Sequence, residues 1–175
     1  NQLFSARLIS NKILSREEFL KYIAARDDGV NFMPNNEDLY KGFSESRLIN
    51  KQSAGILYFI ESKIRDNNRQ STMLLGLKDY SLEHLMPKKW ANNWNHLQLQ
   101  EQIDNRDRVL LTLGNLAIIT KSLNSTIRDS SWSKKKNGDN KRPGLIKYSA
   151  GIETLSPYLD IDNWNEDEIK KRATD

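Results

Sequence analysis

Cysteine is absent from this chain, so disulfides, thiolate metal sites and a cysteine nucleophile are excluded. Histidine is nearly absent, with His84 and His96 the two in 175 residues. No apolar run approaches the roughly 20 residues needed to span a bilayer, and no signal peptide precedes the first helical segment. The lack of cysteine is compatible with the reducing cytoplasm, where the protein is expected to act, and no membrane partner is expected. Internal repeats and low-complexity tails are missing as well. What remains is ordinary for a globular fold: 37% hydrophobic and 29% charged residues, in a chain long enough to bury a core. The net charge of +4, from 27 basic and 23 acidic residues, is a slight bias by itself. Its distribution says more, because Lys134, Lys135, Lys136, Lys141 and Arg142 share one window opposed only by Asp139. The chain starts at Asn1 rather than Met and reads as a piece of a longer protein.

Residues 1–70 predict a helical scaffold region. Ser15-Arg16-Glu17-Glu18 is a capping box opening a helix through Phe19, Leu20 and Ile23, stopped by Asp27-Asp28-Gly29. After the turn at Met33-Pro34-Asn35-Asn36, a second helix starts near Glu37 with Leu39, Tyr40 and Phe43 on its apolar side. A long helix over 48–64 places Ile56, Leu57, Ile60 and Ile64 on a buried stripe and turns Lys51, Glu61, Lys63 and Arg65 outward. Asp66-Asn67-Asn68 ends it.

The character changes in residues 71–175, although the two regions are expected to form one compact unit. Residues 81–85 alternate as a short strand, which Pro87 keeps from becoming a helix. A helix over 97–111 directs Leu99, Ile103 and Val109 inward. Gly114-Asn115 is a turn, residues 116–120 an apolar strand, and a helix from about Ser122 carries Asn124, Ile127 and Arg128. Asn137-Gly138-Asp139-Asn140 and Pro143-Gly144 read as loop. Asn163 caps a last helix with Trp164, Ile169 and Arg172, and Trp132 reads as core.

Glu83-His84-Leu85-Met86-Pro87 is the segment with chemistry in it. Asn115 follows His84 by 31 positions, and Asn124 follows Asn115 by 9. Phosphodiester hydrolysis needs an activated water, charge neutralisation at the phosphorus, and help for the departing oxygen. Histidine, with an ordinary pKa near 6.5, is a suitable base, and a divalent cation held by carboxylate and amide oxygens supplies the rest. Neighbouring strand residues point to opposite faces, so Glu83 and His84 serve one site only if it straddles the strand end or a bulge re-aims one of them. Trp94-Asn95-His96 has no such setting and reads as a helix entry or a substrate-side loop. Asn115 is better placed to hold the loop after His84 than to touch substrate.

Glu83-His84-x-x-Pro87, Leu113-Gly114-Asn115-Leu116 and Asn124 together resemble the HNH, or His-Me finger, nucleases. They are most similar to the HxxP-motif family found as the C-terminal part of GmrSD-type modification-dependent restriction enzymes. Trp132-x-x-Lys135 and Trp164-x4-Ile169-x-x-Arg172 match that family's flanking motifs, and the helical stretch 4–66 is similar to the segment preceding its finger. The resemblance implies an α+β, mostly helical fold in which a ββα-metal finger packs on a helical scaffold. It implies His84 as general base, Asn115 as the residue orienting its loop, and Glu83 (where many HNH fingers have Asp) with Asn124 as ligands of Mg2+ or Mn2+. It also implies nicking of DNA in restriction or phage defence, and an upstream ParB-like NTPase domain as partner. Lys134, Lys135 and Lys136 are the expected phosphate contacts, while Arg172 fits a DNA contact and a structural ion pair equally well. Two other readings are a non-catalytic DNA-binding or targeting module, and a helical domain that docks the upstream NTPase; neither needs Glu83, His84 and Asn124.

Overall fold

The computed structural model describes residues 2–26, 32–67, 73–149 and 152–175. Its backbone divides into two units, residues 1–39 and 40–175. The first holds α1 (Gln2–Ser10) and α2 (Arg16–Ala24). The Ser15 hydroxyl accepts from Glu18 N–H, and the Glu18 carboxylate accepts from Ser15 N–H, closing the expected capping box. The stop expected at Asp27-Asp28-Gly29 lies outside the described residues, as does Asn68. α3 (Asn36–Glu45) begins in the first unit and gives Phe43 to the core of the second.

The second unit is built around an antiparallel ribbon, β1 (Tyr80–His84) with β2 (Leu116–Thr120), in the register Tyr80↔Thr120 to His84↔Leu116. Leu116 to Ile119 are all buried, so β2 is covered on both faces. α4 (Asn50–Asn67) and α6 (Lys121–Ile127) pack against both strands. α4, grouped by sequence with the preceding helices, thus lies against the ribbon. Between the strands come a 3-10 turn (Trp90–Asn92), α5 (Gln100–Val109) and a second 3-10 turn (Leu113–Asn115). α7 (Trp132–Asn137), a minimal hairpin of β3 (Gly138–Asp139) and β4 (Arg142–Pro143), α8 (Leu145–Ser149) and α9 (Glu166–Thr174) complete the chain. This is an α+β fold, mostly helical, with two small antiparallel sheets.

Five expectations are corrected. The buried stripe of α4 is Ser53, Leu57 and Glu61, while Ile64 is 39% exposed. The Glu61 carboxylate, expected to face outward, is fully buried because it accepts from Glu153 N and Thr154 N at 2.8 Å each and from Arg65 Nε at 2.6 Å. Leu99 is 62% exposed because it sits at the extended N-cap of α5, outside the helical phase. The cap of the last helix is Asn165, not Asn163; its side chain accepts from Asp167 N and Glu168 N, and Trp164 precedes the helix. The loop expected at 137–140 and 143–144 instead carries the minimal hairpin of β3 and β4, turning at Asn140-Lys141 with the Asp139 carboxylate accepting from the N–H groups of Lys141 and Arg142.

Candidate active site

β1 ends at His84, where the chain turns toward Pro87, and Asn115 holds that turn. Leu85 N–H donates to the Asn115 carbonyl at 2.9 Å, and Met86 N–H donates to Asn115 Oδ1 at 2.8 Å. Asn115 Nδ2 donates to the carbonyls of Met86 and Leu110, and Trp164 Nε1 donates to Oδ1 at 3.1 Å. A fully buried amide thus uses both of its ends on the backbone that carries the histidine.

Asn115 is itself fixed from behind. Gly114 lies so close to α9 that a Cβ there would come within 2.0 Å of the Ile169 carbonyl, which requires glycine. Arg172 Nη1 donates to the carbonyls of Gly114 and Leu116 at 2.7 Å each, and Nη2 donates to Thr154 O at 3.0 Å. Burial pulls the Arg172 guanidinium down to about 10, still charged at neutral pH. Arg172 is therefore an interior clamp, and the expectation that it touches DNA is corrected.

His84 is half-buried and opens onto a cleft of about 590 Å³. Neither ring nitrogen has a hydrogen bond among the described residues. Its pKa is lowered to about 4, chiefly by burial, then by the positive charges of Lys88 and Lys135. At neutral pH the imidazole is uncharged, the form a general base needs.

Glu83 and Ser81 alternate with His84 and Leu82 along β1, so they project from the opposite face. Asn124 of α6 lies on the Ser81 side, with Nδ2 donating to Ser81 Oγ at 2.9 Å and to Leu82 O at 3.3 Å. Its Oδ1 accepts no hydrogen bond among the described residues.

Lys135, placed by sequence among the phosphate contacts, is fully buried. Its ammonium donates to Glu83 Oε1 in a very short contact and to His84 O at 2.7 Å. Burial opposes both charges of this pair, raising Glu83 and lowering Lys135, while their mutual attraction works against that. A cation with no exposed surface does not meet a DNA backbone, so this expectation is also corrected. Of its neighbours, Lys134 is exposed and faces Asp139 at 3.3 Å. Lys136 has little exposed side chain and donates to Ile161 O at 3.0 Å. His96 is exposed in a coil, and Trp132 is buried with Nε1 donating to Ile161 O.

Lys135→Met leaves the Glu83 carboxylate buried without its counterion. Urea unfolding should show a loss of about 3 kcal/mol at pH 7. Because burial raises the Glu83 pKa above the ordinary carboxylate range and lets the carboxyl take up a proton in acid, this deficit should widen as pH rises through that raised pKa and shrink below it. A pH-independent deficit would show that the carboxylate is not what the lysine balances.

Sequence spacing did not single out Arg47 and Lys88, which line the cleft with His84. Lys88 lies just beyond the Pro87 that ends the motif and was within reach of inspection, whereas Arg47, 37 positions before His84, carries no local signal. No cluster of three or more His, Asp or Glu side chains suited to a metal occurs among the described residues, so any ion must rely on a sparser donor set. No helix among the described residues is long and apolar enough to cross a membrane.

Residues 33–175 match the family model of the C-terminal domain of GmrSD restriction endonucleases. Compared with curated proteins and with solved structures, the chain gives no match.

Proposed function

We propose, from the premise that this chain belongs to the family of GmrSD restriction-endonuclease C-terminal domains, that it is a metal-dependent DNA endonuclease domain in restriction or phage defence, working beside an upstream ParB-like NTPase domain. The observation that carries this reading is the His84 imidazole, without a hydrogen bond among the described residues and facing an open cleft on a loop locked by Asn115, where burial favours its uncharged form. A base needs that combination of fixed backbone, uncharged ring and access to solvent.

In this mechanism His84 takes a proton from water as the water oxygen bonds to phosphorus. The bond from phosphorus to the 3′ oxygen breaks in line and that oxygen takes a proton from solvent water, leaving a 5′-phosphate and a 3′-hydroxyl, while His84 returns its proton to solvent. Asn115 does not touch substrate; it keeps His84 aimed. Glu83 and Asn124 would hold Mg2+, or Mn2+, which when bound neutralises charge on the phosphate and the leaving oxygen. Their chemistry fits: a carboxylate and an amide oxygen on one side of β1, the amide oxygen free to accept, are hard donors suited to a cation that keeps most of its waters. The Lys135 ammonium already pairs with Glu83, so the cation must share that carboxylate, which predicts modest affinity. His84 and the two would-be ligands project from opposite faces of β1, so this mechanism requires the substrate phosphate to reach both sides of the strand end at His84. One such centre cuts one strand, and a double-strand break takes two copies.

Glu83→Ala and Asn124→Ala should each raise the Mg2+ concentration for half-maximal plasmid nicking by at least about tenfold. An unchanged titration in both variants would remove them as ligands.

A further inference from the structure

We propose that the phosphate backbone of DNA is received in the His84 cleft by Arg47 and Lys88, rather than by the lysine run at 134–136. The cleft lies between the segment that leads into α4 and the loop after β1, and it brings Arg47 and Lys88 to the same opening as His84. Among the described residues no acidic side chain lines it. Both cations are exposed, and neither has an ion pair among the described residues. Two uncompensated positive charges flanking an uncharged base form a receptor for a phosphodiester: arginine fits two phosphate oxygens at once, and lysine acts as a point charge. The Asn50 side chain adds an uncharged donor, and Leu48 and Ile49 offer apolar surface suited to a sugar face.

The lysine run offers no comparable set. Lys135 is buried on Glu83, Lys136 donates to Ile161 O, and Lys134 faces Asp139. Of the three, Lys134 alone is open to solvent, and its charge is partly balanced.

This inference rests on the nuclease reading, and its test separates the two. Binding of a fluorescent DNA duplex is measured by anisotropy in EDTA across a salt series, and nicking is measured in Mg2+. Arg47→Ala and Lys88→Ala should each weaken binding about fivefold or more and flatten the salt dependence by about one unit of slope, with Lys134→Ala changing little. The charge-preserving Arg47→Lys and Lys88→Arg should recover most of the binding, which shows that charge and not folding was lost. Wild-type affinity and slope in the Arg47/Lys88 double alanine variant would overturn the inference while nicking by the wild type keeps the nuclease reading. A wild type that binds DNA through these two residues but never nicks would overturn the nuclease reading and leave the binding site standing.

Discussion

His84→Ala is expected to lower the rate of the proposed Mg2+-dependent nicking of supercoiled plasmid by about 10²–10⁴. The side chain is half-buried and makes no hydrogen bond among the described residues, so its removal should change folding stability by no more than about 1 kcal/mol. Loss of activity with an intact fold distinguishes a base from a structural residue, and undiminished nicking would end the assignment. The pH dependence gives a second signature. With its pKa held near 4, His84 stays unprotonated through the range in which a free histidine becomes charged, so kcat/KM should show no acid limb from His84 near pH 6.5; below the limb set by protonation of Glu83, the one His84 sets should come only near pH 4. Lys88→Ala removes one of the causes and should move that acid limb upward. Stability follows the same linkage: the unfolded chain takes up a proton near pH 6.5 that the folded chain refuses until about pH 4, so stability is lost as pH falls through that window. His84→Ala should abolish that part of the slope.

Asn115→Ala should cost about 4–5 kcal/mol in urea unfolding, near the top of the range for single substitutions. The amide serves two donors, Met86 N–H and Trp164 Nε1–H, and two acceptors, the carbonyls of Met86 and Leu110. Alanine leaves all four without that partner in a fully buried setting, where each unsatisfied group costs about 1–3 kcal/mol and the costs overlap. Asn115→Asp keeps two accepting oxygens but turns two donated bonds into repulsions between oxygens, so it should be no better tolerated. A stability change under about 1 kcal/mol for alanine would mean that the turn after β1 is held by something else.

The parts of the fold readable in the sequence were those set by local rules. The Ser15 capping box, the strands on either side of Gly114-Asn115 and the helix carrying Asn124 depend on spacings of a few residues. The errors came where a distant segment decides the outcome. Glu61 reads as a surface residue of an amphipathic helix until the N–H groups of Glu153 and Thr154, about ninety residues away in sequence, arrive to bond it. Lys135 reads as part of a basic patch until Glu83 is seen beneath it, and Arg172 as a surface cation until the carbonyls of Gly114 and Leu116 surround it. A charged residue that neutralises a buried partner is indistinguishable in composition from one that waits for DNA. The same limit hid Arg47, whose relevance comes only from lying across a cleft from His84.

The clamp of Arg172 and Trp164 on the turn at Gly114-Asn115 bears on when the chain acquires its chemistry during synthesis. A ribosome that has translated as far as residue 160 has made both strands, the histidine and every candidate ligand, yet not the residues that brace the turn from behind. The nascent polypeptide would hold a loosely set imidazole until α9 emerges and docks. The proposed site would in this way stay incomplete until nearly all of this segment has left the exit tunnel.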